Sequence, residues 1–354
     1  MDKTISFLIL IGIGIAFRSK VKNKEQLNTI KTLILTVALP AVIFSSLLKI
    51  NLTPALIYPP LLVLGLNFII FLSVRWILPI LGRDFSRSNL RTLMFILPSL
   101  APYLSCFPFI AEFSDDNTLG MAAIADTGNK LFILIFLYFL AMYWCYGKQT
   151  FSKQSKGSQK LKDVILQPIN LSIIVALIAS LLGVRLETIP IYVQDSLSHL
   201  RNLLTPTILI FIGLAVKVKA KELRLIVGLL LWRSAIGLML SALLISVTNF
   251  DSIATVLLAV AFPQSSCSFI PYAQMTLFND AKNDRQLFNP DLALSLLAIS
   301  LPFSSFIIIS IYSAGSFFTA PTHLIGLSAI AFISSCLLLK LKSTSSKMVF
   351  TPAK

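Results

Sequence analysis

Apolar runs of membrane-crossing length recur almost from end to end of this sequence, and a chain built that way has no water-soluble fold open to it. The hydrocarbon core of a bilayer is about 30 Å thick, so a helix rising 1.5 Å per residue needs about 20 apolar residues to cross it. Hydrophobic residues make up 56% of the 354 and charged residues only 13%, about half the charged share of a globular chain. Mean hydropathy is +0.84. At roughly 30 residues for a span and its connection, the length accommodates about eleven or twelve helices. The expected fold class is therefore an all-α integral membrane protein. Its net charge of +15 would suggest nucleic acid in a soluble protein, but the Lys and Arg residues lie in short loops between apolar runs, where they encode orientation. Nucleic acid is excluded as a partner.

Charged breaks place spans at about 4–17, 27–48, 54–80, 90–113 and 118–146. A polar, basic stretch, GKQTFSKQSKGSQKLKD at 147–163, reads as an exposed cytoplasmic linker. Further spans follow at about 164–186, 197–216, 222–247, 252–277 and 290–312, with an extra one near 322–339. The implied organisation is a five-helix unit (1–146), the linker, a second five-helix unit (164–312), and an added helix with a tail (313–354). The run Thr4 to Phe17 lacks a small-residue cleavage pattern and is read as a short first span, not a signal peptide.

Lys and Arg separate between alternate loops. One set holds the clusters at 18–24, 83–91, 148–162, 217–224, 282–285 and 340–354; the other has only Lys3, Lys49, Arg185 and Arg201, with Glu112, Asp115 and Asp116 among them. Cytoplasmic loops keep positive charge, so the expected topology is a multi-pass protein of the cell membrane with the N-terminus outside and the C-terminus inside. An odd number of crossings between spans 1 and 6 makes the two halves opposite in sense, so any repeat between them is an inverted one.

Matching features support such a repeat. Pro40 in LPAVIFSSLLKI pairs with Pro206 in TPTILIFIGLAVKV. Span 4 carries Pro98, Pro102 and Pro108, and span 9 carries Pro263 and Pro271. Repeated prolines remove backbone donors and clash with the preceding turn, so continuous helices are not expected there. Freed backbone groups survive at membrane depth only against protein or a wet cavity, and broken helices at matching places in inverted halves point to a transporter's central site. The candidate substrate-binding residues on the breaks are Tyr103, Ser105, Pro108, Pro263, Gln264, Ser265 and Ser266; the alternative is a pair of ordinary kinked helices. Asp126, Asn129 and Lys130 share one helix face. They read either as a proton, cation or substrate site or as a structural pair holding the bundle. Arg233 lies deep in its span, where its fork suits a carboxylate, although long side chains also snorkel. His199 and His323 fall at span ends, where interfacial roles outweigh catalytic ones. The four cysteines show no CxxC or metal spacing, so neither disulfides nor a metal site is expected. No nucleophile elbow, Walker loop or HExxH motif is found, so neither an enzyme nor a cofactor is expected and the energy source is not the chain's own ATP hydrolysis.

The runs IGIGIAFRSK and LNTIKTLILTVALPAVIFSSLLK, then ADTGNKLF at 125–132, NLLTPTILIFIGLAVK at 202–217, AVAFPQSS at 259–266 and LALSLLAISLPF at 292–303, together resemble the auxin efflux carrier family of permeases over residues 1–312. Their order and spacing carry the resemblance. It implies a fold similar to the bile acid:sodium symporters, with two inverted five-helix repeats, crossing broken helices 4 and 9, and a small organic anion as cargo. Asp126, Asn129, Pro40, Pro206 and Pro263 match the family's pattern. Where the family has Asn, glycines and then Pro in span 4, this chain has Ala101, Tyr103, Cys106 and Pro108. The coupling ion stays open between a proton and sodium, a homodimer is compatible with the resemblance, and a sodium-coupled symporter or a ligand sensor without transport are the alternative functions.

Overall fold

The computed structural model describes residues 2–18, 20–21, 24–49, 54–76, 85–146, 168–215, 220–280 and 287–340. Among these the chain is all-α, with one isolated backbone bridge between Leu100 and Cys267 instead of a sheet. Among the described residues, five helices are long and apolar enough to cross a membrane: Tyr58–Trp76, Asp116–Cys145, Leu223–Val247, Pro290–Ser313 and Pro321–Lys340. Bare side chains such as Leu243, Phe306, Ile330 and Leu337 stand on their outer surfaces, an arrangement that suits lipid and not water. These helices mark a membrane-embedded protein. Leu171–Leu181 and Ile253–Gln264 are apolar but shorter.

The helices follow in chain order. The first group is α1 (Asp2–Phe17), α2 (Lys24–Leu33), α3 (Leu39–Leu47), α4 (Tyr58–Trp76), α5 (Arg87–Ile96), α6 (Pro102–Ser105), α7 (Phe107–Phe113), α8 (Asp116–Leu131) and α9 (Tyr138–Tyr146). Beyond residue 167 come α10 (Pro168–Leu181), α11 (Ile191–Ala215), α12 (Ala220–Val247), α13 (Ile253–Ala261), α14 (Ile270–Asp280), α15 (Pro290–Ser313), α16 (Gly315–Phe318) and α17 (Pro321–Lys340). The linker expected at 147–163 lies outside the described residues. Side chains set several starts: Ser86, Asp115, Ser252 and Asn289 each accept a hydrogen bond from the backbone N–H three residues on, satisfying a donor that the first turn leaves free.

The expected second span is divided by a wide π turn, Ile34–Ala38, just before Pro40. Proline lacks an N–H and its ring presses on the carbonyl four residues back, here Thr36, so the ladder widens. Pro206, by contrast, sits inside the continuous helix α11 and breaks nothing.

Packing sorts the helices into two groups. In one, α1 and α11 pack together, with α2, α3 and α10 against them; in the other, α4, α8, α5, α12, α13, α15 and α17 are mutually packed. The α1–α11 crossing is close because Gly14 and Gly213 meet: a Cβ on Gly14 would lie 2.2 Å from the Ile210 carbonyl oxygen. The groups join mainly where α3 meets α8, α7 meets α11 and α11 meets α15. At this joint Asp116, at the start of α8, pairs with Lys49 just beyond α3 at 2.7 Å and with Arg201 of α11.

Candidate functional site: two crossed helix breaks

Both proline-rich segments are interrupted, and the interruptions touch. After α5 the chain turns through Leu97 and Pro98, runs extended from Ser99 to Ala101, and re-forms a helix at Pro102. After α13 it passes through a single 3-10 turn, Phe262–Gln264, and an extended stretch before α14. The extended pieces run antiparallel: the Ala101 N–H donates to the Ser266 carbonyl at 2.7 Å and the Ser268 N–H to the Ser99 carbonyl at 3.1 Å. Each break thus repairs part of the other's lost ladder. Residues 99–110 and 261–268 are all buried, so these pairings are made where water does not compete and an unmade bond would be costly.

Side chains complete the repair. Ser105 Oγ accepts from the Ser266 N–H at 2.8 Å, and Ser300 Oγ on α15 accepts from the Cys267 N–H at 3.2 Å. Asn129 spans Leu100: its Oδ1 accepts from the Leu100 N–H at 3.0 Å and its Nδ2 donates to the Leu100 carbonyl at 2.9 Å. The same Nδ2 lies 2.8 Å from Asp126 Oδ1, and Asn67 of α4 donates to Asn129 Oδ1 at 3.1 Å. The Asp126 carboxylate faces Lys130 Nζ at 3.2 Å. That contact is a charge pairing without hydrogen-bond alignment, since the ammonium has no hydrogen-bond partner. Residues 67, 126 and 129 are no more than 1% exposed and Lys130 is 9%.

The second break has its own cation. Arg233, 3% exposed on α12, donates through Nη2 to the carbonyls of Ser265 and Pro263, and its Nη1 lies 3.6 Å from Cys267 Sγ. Its Nε is buried without a partner. Gln264 donates to the Ser234 carbonyl at 3.3 Å, leaving its side-chain oxygen unpaired. A crevice of about 360 Å³ between α4, α8, α12 and α13 reaches Phe262 and Pro263 at the break and Ala125 beside Asp126; its walls are almost entirely apolar, among them Leu66, Leu240 and Leu258.

The structure brings together most of the residues singled out in the sequence. Ser105, Asp126, Asn129, Arg233, Pro263, Gln264, Ser265 and Ser266 converge on the crossing, and Tyr103 is buried in α6. Pro98 and Pro102 flank the first extended stretch; Pro108 and Pro271 lie in the first turns of α7 and α14, beyond the extended pieces. The forked end of Arg233 does not stand free for a ligand, since its Nη2 holds carbonyls released by the break; its Nε is the donor left over. His199 and His323 are exposed, and His323 rests on Phe317 at 4.3 Å. Asn67 and Ser300 were missed, although a lone Asn within the apolar α4 is a visible signal. Among the described residues no group of three or more His, Cys, Asp or Glu is placed to hold a metal ion. Compared with models of known families and with characterised proteins, the chain matches none.

Proposed function

We propose that the protein is a secondary carrier for a small organic anion in the cell membrane, similar to the auxin efflux carriers, with two opposed five-helix halves and the N-terminus outside. The carrying observation is the excess of positive charge at two touching helix breaks: Lys130 and Arg233 are buried there, and the Asp126 carboxylate is paired with Lys130. A buried guanidinium without a counter-charge is costly, and a carboxylate cargo supplies the missing negative charge. Arg233 Nε, left without a partner, is a donor for it. The two-group packing suits alternating access, with one group rocking against the other around the crossing.

The test is uptake of labelled small carboxylates into proteoliposomes. Saturable accumulation is expected, and Arg233→Gln should lower the rate about ten- to a hundredfold, since a hydrogen bond to a charged group contributes about 1.5–3 kcal/mol. An absence of flux for every carboxylate would overturn the carrier reading. Stabilisation by a carboxylate without flux would favour a ligand sensor, a reading supported by how completely the crossing satisfies its own backbone.

A further inference from the structure

Coupling cations in carriers with broken helices are held by freed carbonyls and nearby carboxylates. In this chain both kinds of ligand are already engaged by covalently attached cations. The carbonyls of Pro263 and Ser265 receive Arg233, and the Asp126 carboxylate receives Lys130 from one helical turn away. Lys130 Nζ faces Asp126 Oδ2, and the same hydrogen-bonded cluster holds amide oxygens of the type a hard monovalent cation selects: Asn129 Oδ1, which accepts from the Leu100 N–H and from Asn67, and Asn67 Oδ1, which is fully buried and has no partner.

We propose that Lys130 is a tethered counter-cation that permanently fills a monovalent-cation site formed by Asp126, Asn129 and Asn67 behind the first break, so that sodium neither binds nor couples in the native protein. The charge balance requires one cation at Asp126. A buried carboxylate stripped of its partner is strongly destabilising, and Lys130 supplies that partner without any concentration dependence. Removing the ammonium while keeping the aliphatic stem, as in Lys130→Met, leaves a buried carboxylate without its cation, in a cluster that also holds the amide oxygens of Asn129 and Asn67, and a space that Na+ can enter. Sodium then becomes a ligand of the folded state, and mass action makes stability depend on its concentration. Only the corollary, sodium-independent transport, rests on the carrier reading.

The test is thermal unfolding of the purified full-length protein in detergent, in NaCl and in an equal concentration of N-methylglucamine chloride. The wild type should melt at one temperature in both. Lys130→Met should melt several degrees lower in N-methylglucamine and recover saturably with Na+. The double variant Asp126→Asn/Lys130→Met, which removes both charges, should regain stability and ignore Na+. Saturable stabilisation of the wild type by Na+ would overturn the proposal, as would a folded Lys130→Met indifferent to Na+. Should Lys130→Met fail to fold, the double variant decides: recovery supports the tethered charge, and equal failure refutes it. Loss of carboxylate flux alongside the expected melting pattern would remove the carrier reading and leave the counter-cation standing.

Discussion

Asn129 replaces, with one side chain, the helical hydrogen bonds that Leu100 gives up at the first break. Its amide accepts from the Leu100 N–H and donates to the Leu100 carbonyl. Asn129→Ala orphans both groups in a dry site, at about 1–3 kcal/mol each, so unfolding of the purified protein in denaturant should show a loss of about 2–5 kcal/mol. A change within experimental error would mean that the break is held elsewhere. Asn129→Asp keeps the acceptor, loses the donor and sets a second carboxylate beside Asp126; it should be at least as damaging at neutral pH. The preceding residue fixes how closely α8 lies on α4. A Cβ on Gly128 would fall 1.9 Å from the Pro60 carbonyl oxygen, a backbone atom that cannot swing away, so Gly128→Ala should cost about 1–3 kcal/mol by overpacking. The shared face of Asp126, Asn129 and Lys130 was legible from its three- and four-residue spacing. The role of Asn129 was not, because Leu100 is 29 residues away and no local pattern records that meeting.

At the scale of elements, prolines were a good but incomplete guide. Pro98, Pro102 and Pro263 mark true interruptions, whereas Pro206 and Pro302 sit within continuous helices. One proline removes one donor, a loss a helix absorbs by bending. An interruption persists where other groups take up the released amides and carbonyls, and those groups, Ser105, Ser300, Asn129 and Arg233, come from four different helices. The π segment after α8 likewise has a carbonyl taken up from another helix, Ile133 accepting from Gln274 Nε2 of α14 at 3.0 Å, and its Phe132 and Phe136 interlock with Phe68 and Phe71 of α4 at centroid distances of 4.8–6.1 Å, contacts that are set by tertiary packing. The helix near 322–339 was legible by length alone, but its partner was not. α17 lies along α12, where Ser328 and Ser335 donate to the carbonyls of Ala235 and Gly228 at 2.7 and 2.6 Å and Phe332 packs on Trp232 at 5.1 Å. Small residues allow that approach. Ser335→Leu should therefore force the two helices apart and cost about 1–3 kcal/mol, measurable as a lower melting temperature; an unchanged melt would mean that α17 only lies loosely against the bundle.

At the scale of the whole molecule, the helical membrane character and the place of the crossing followed from composition and proline spacing, while the division into two groups of helices did not, since it joins α3 to α10 and α1 to α11 across half the chain. That division gives the charged cluster at Asp116 its meaning. Lys49 and Arg201 belong to one group and Asp116 to the other. All three side chains are partly exposed, at 37%, 27% and 20%, so the pairs contribute only about 0–1 kcal/mol each to stability, and breaking them should scarcely move the melting temperature. Their effect is on the relative placement of the groups. If transport proceeds by rocking, the distance between Lys49 and Asp116 must change in every cycle. In Lys49→Cys/Asp116→Cys, a short bis-methanethiosulfonate bridge should stop carboxylate flux in proteoliposomes, and dithiothreitol should restore it, whereas either single variant treated alike should keep transporting. Undiminished flux through the bridged protein would show that the two groups do not separate at this edge, and the moving boundary would then have to be sought within the second group.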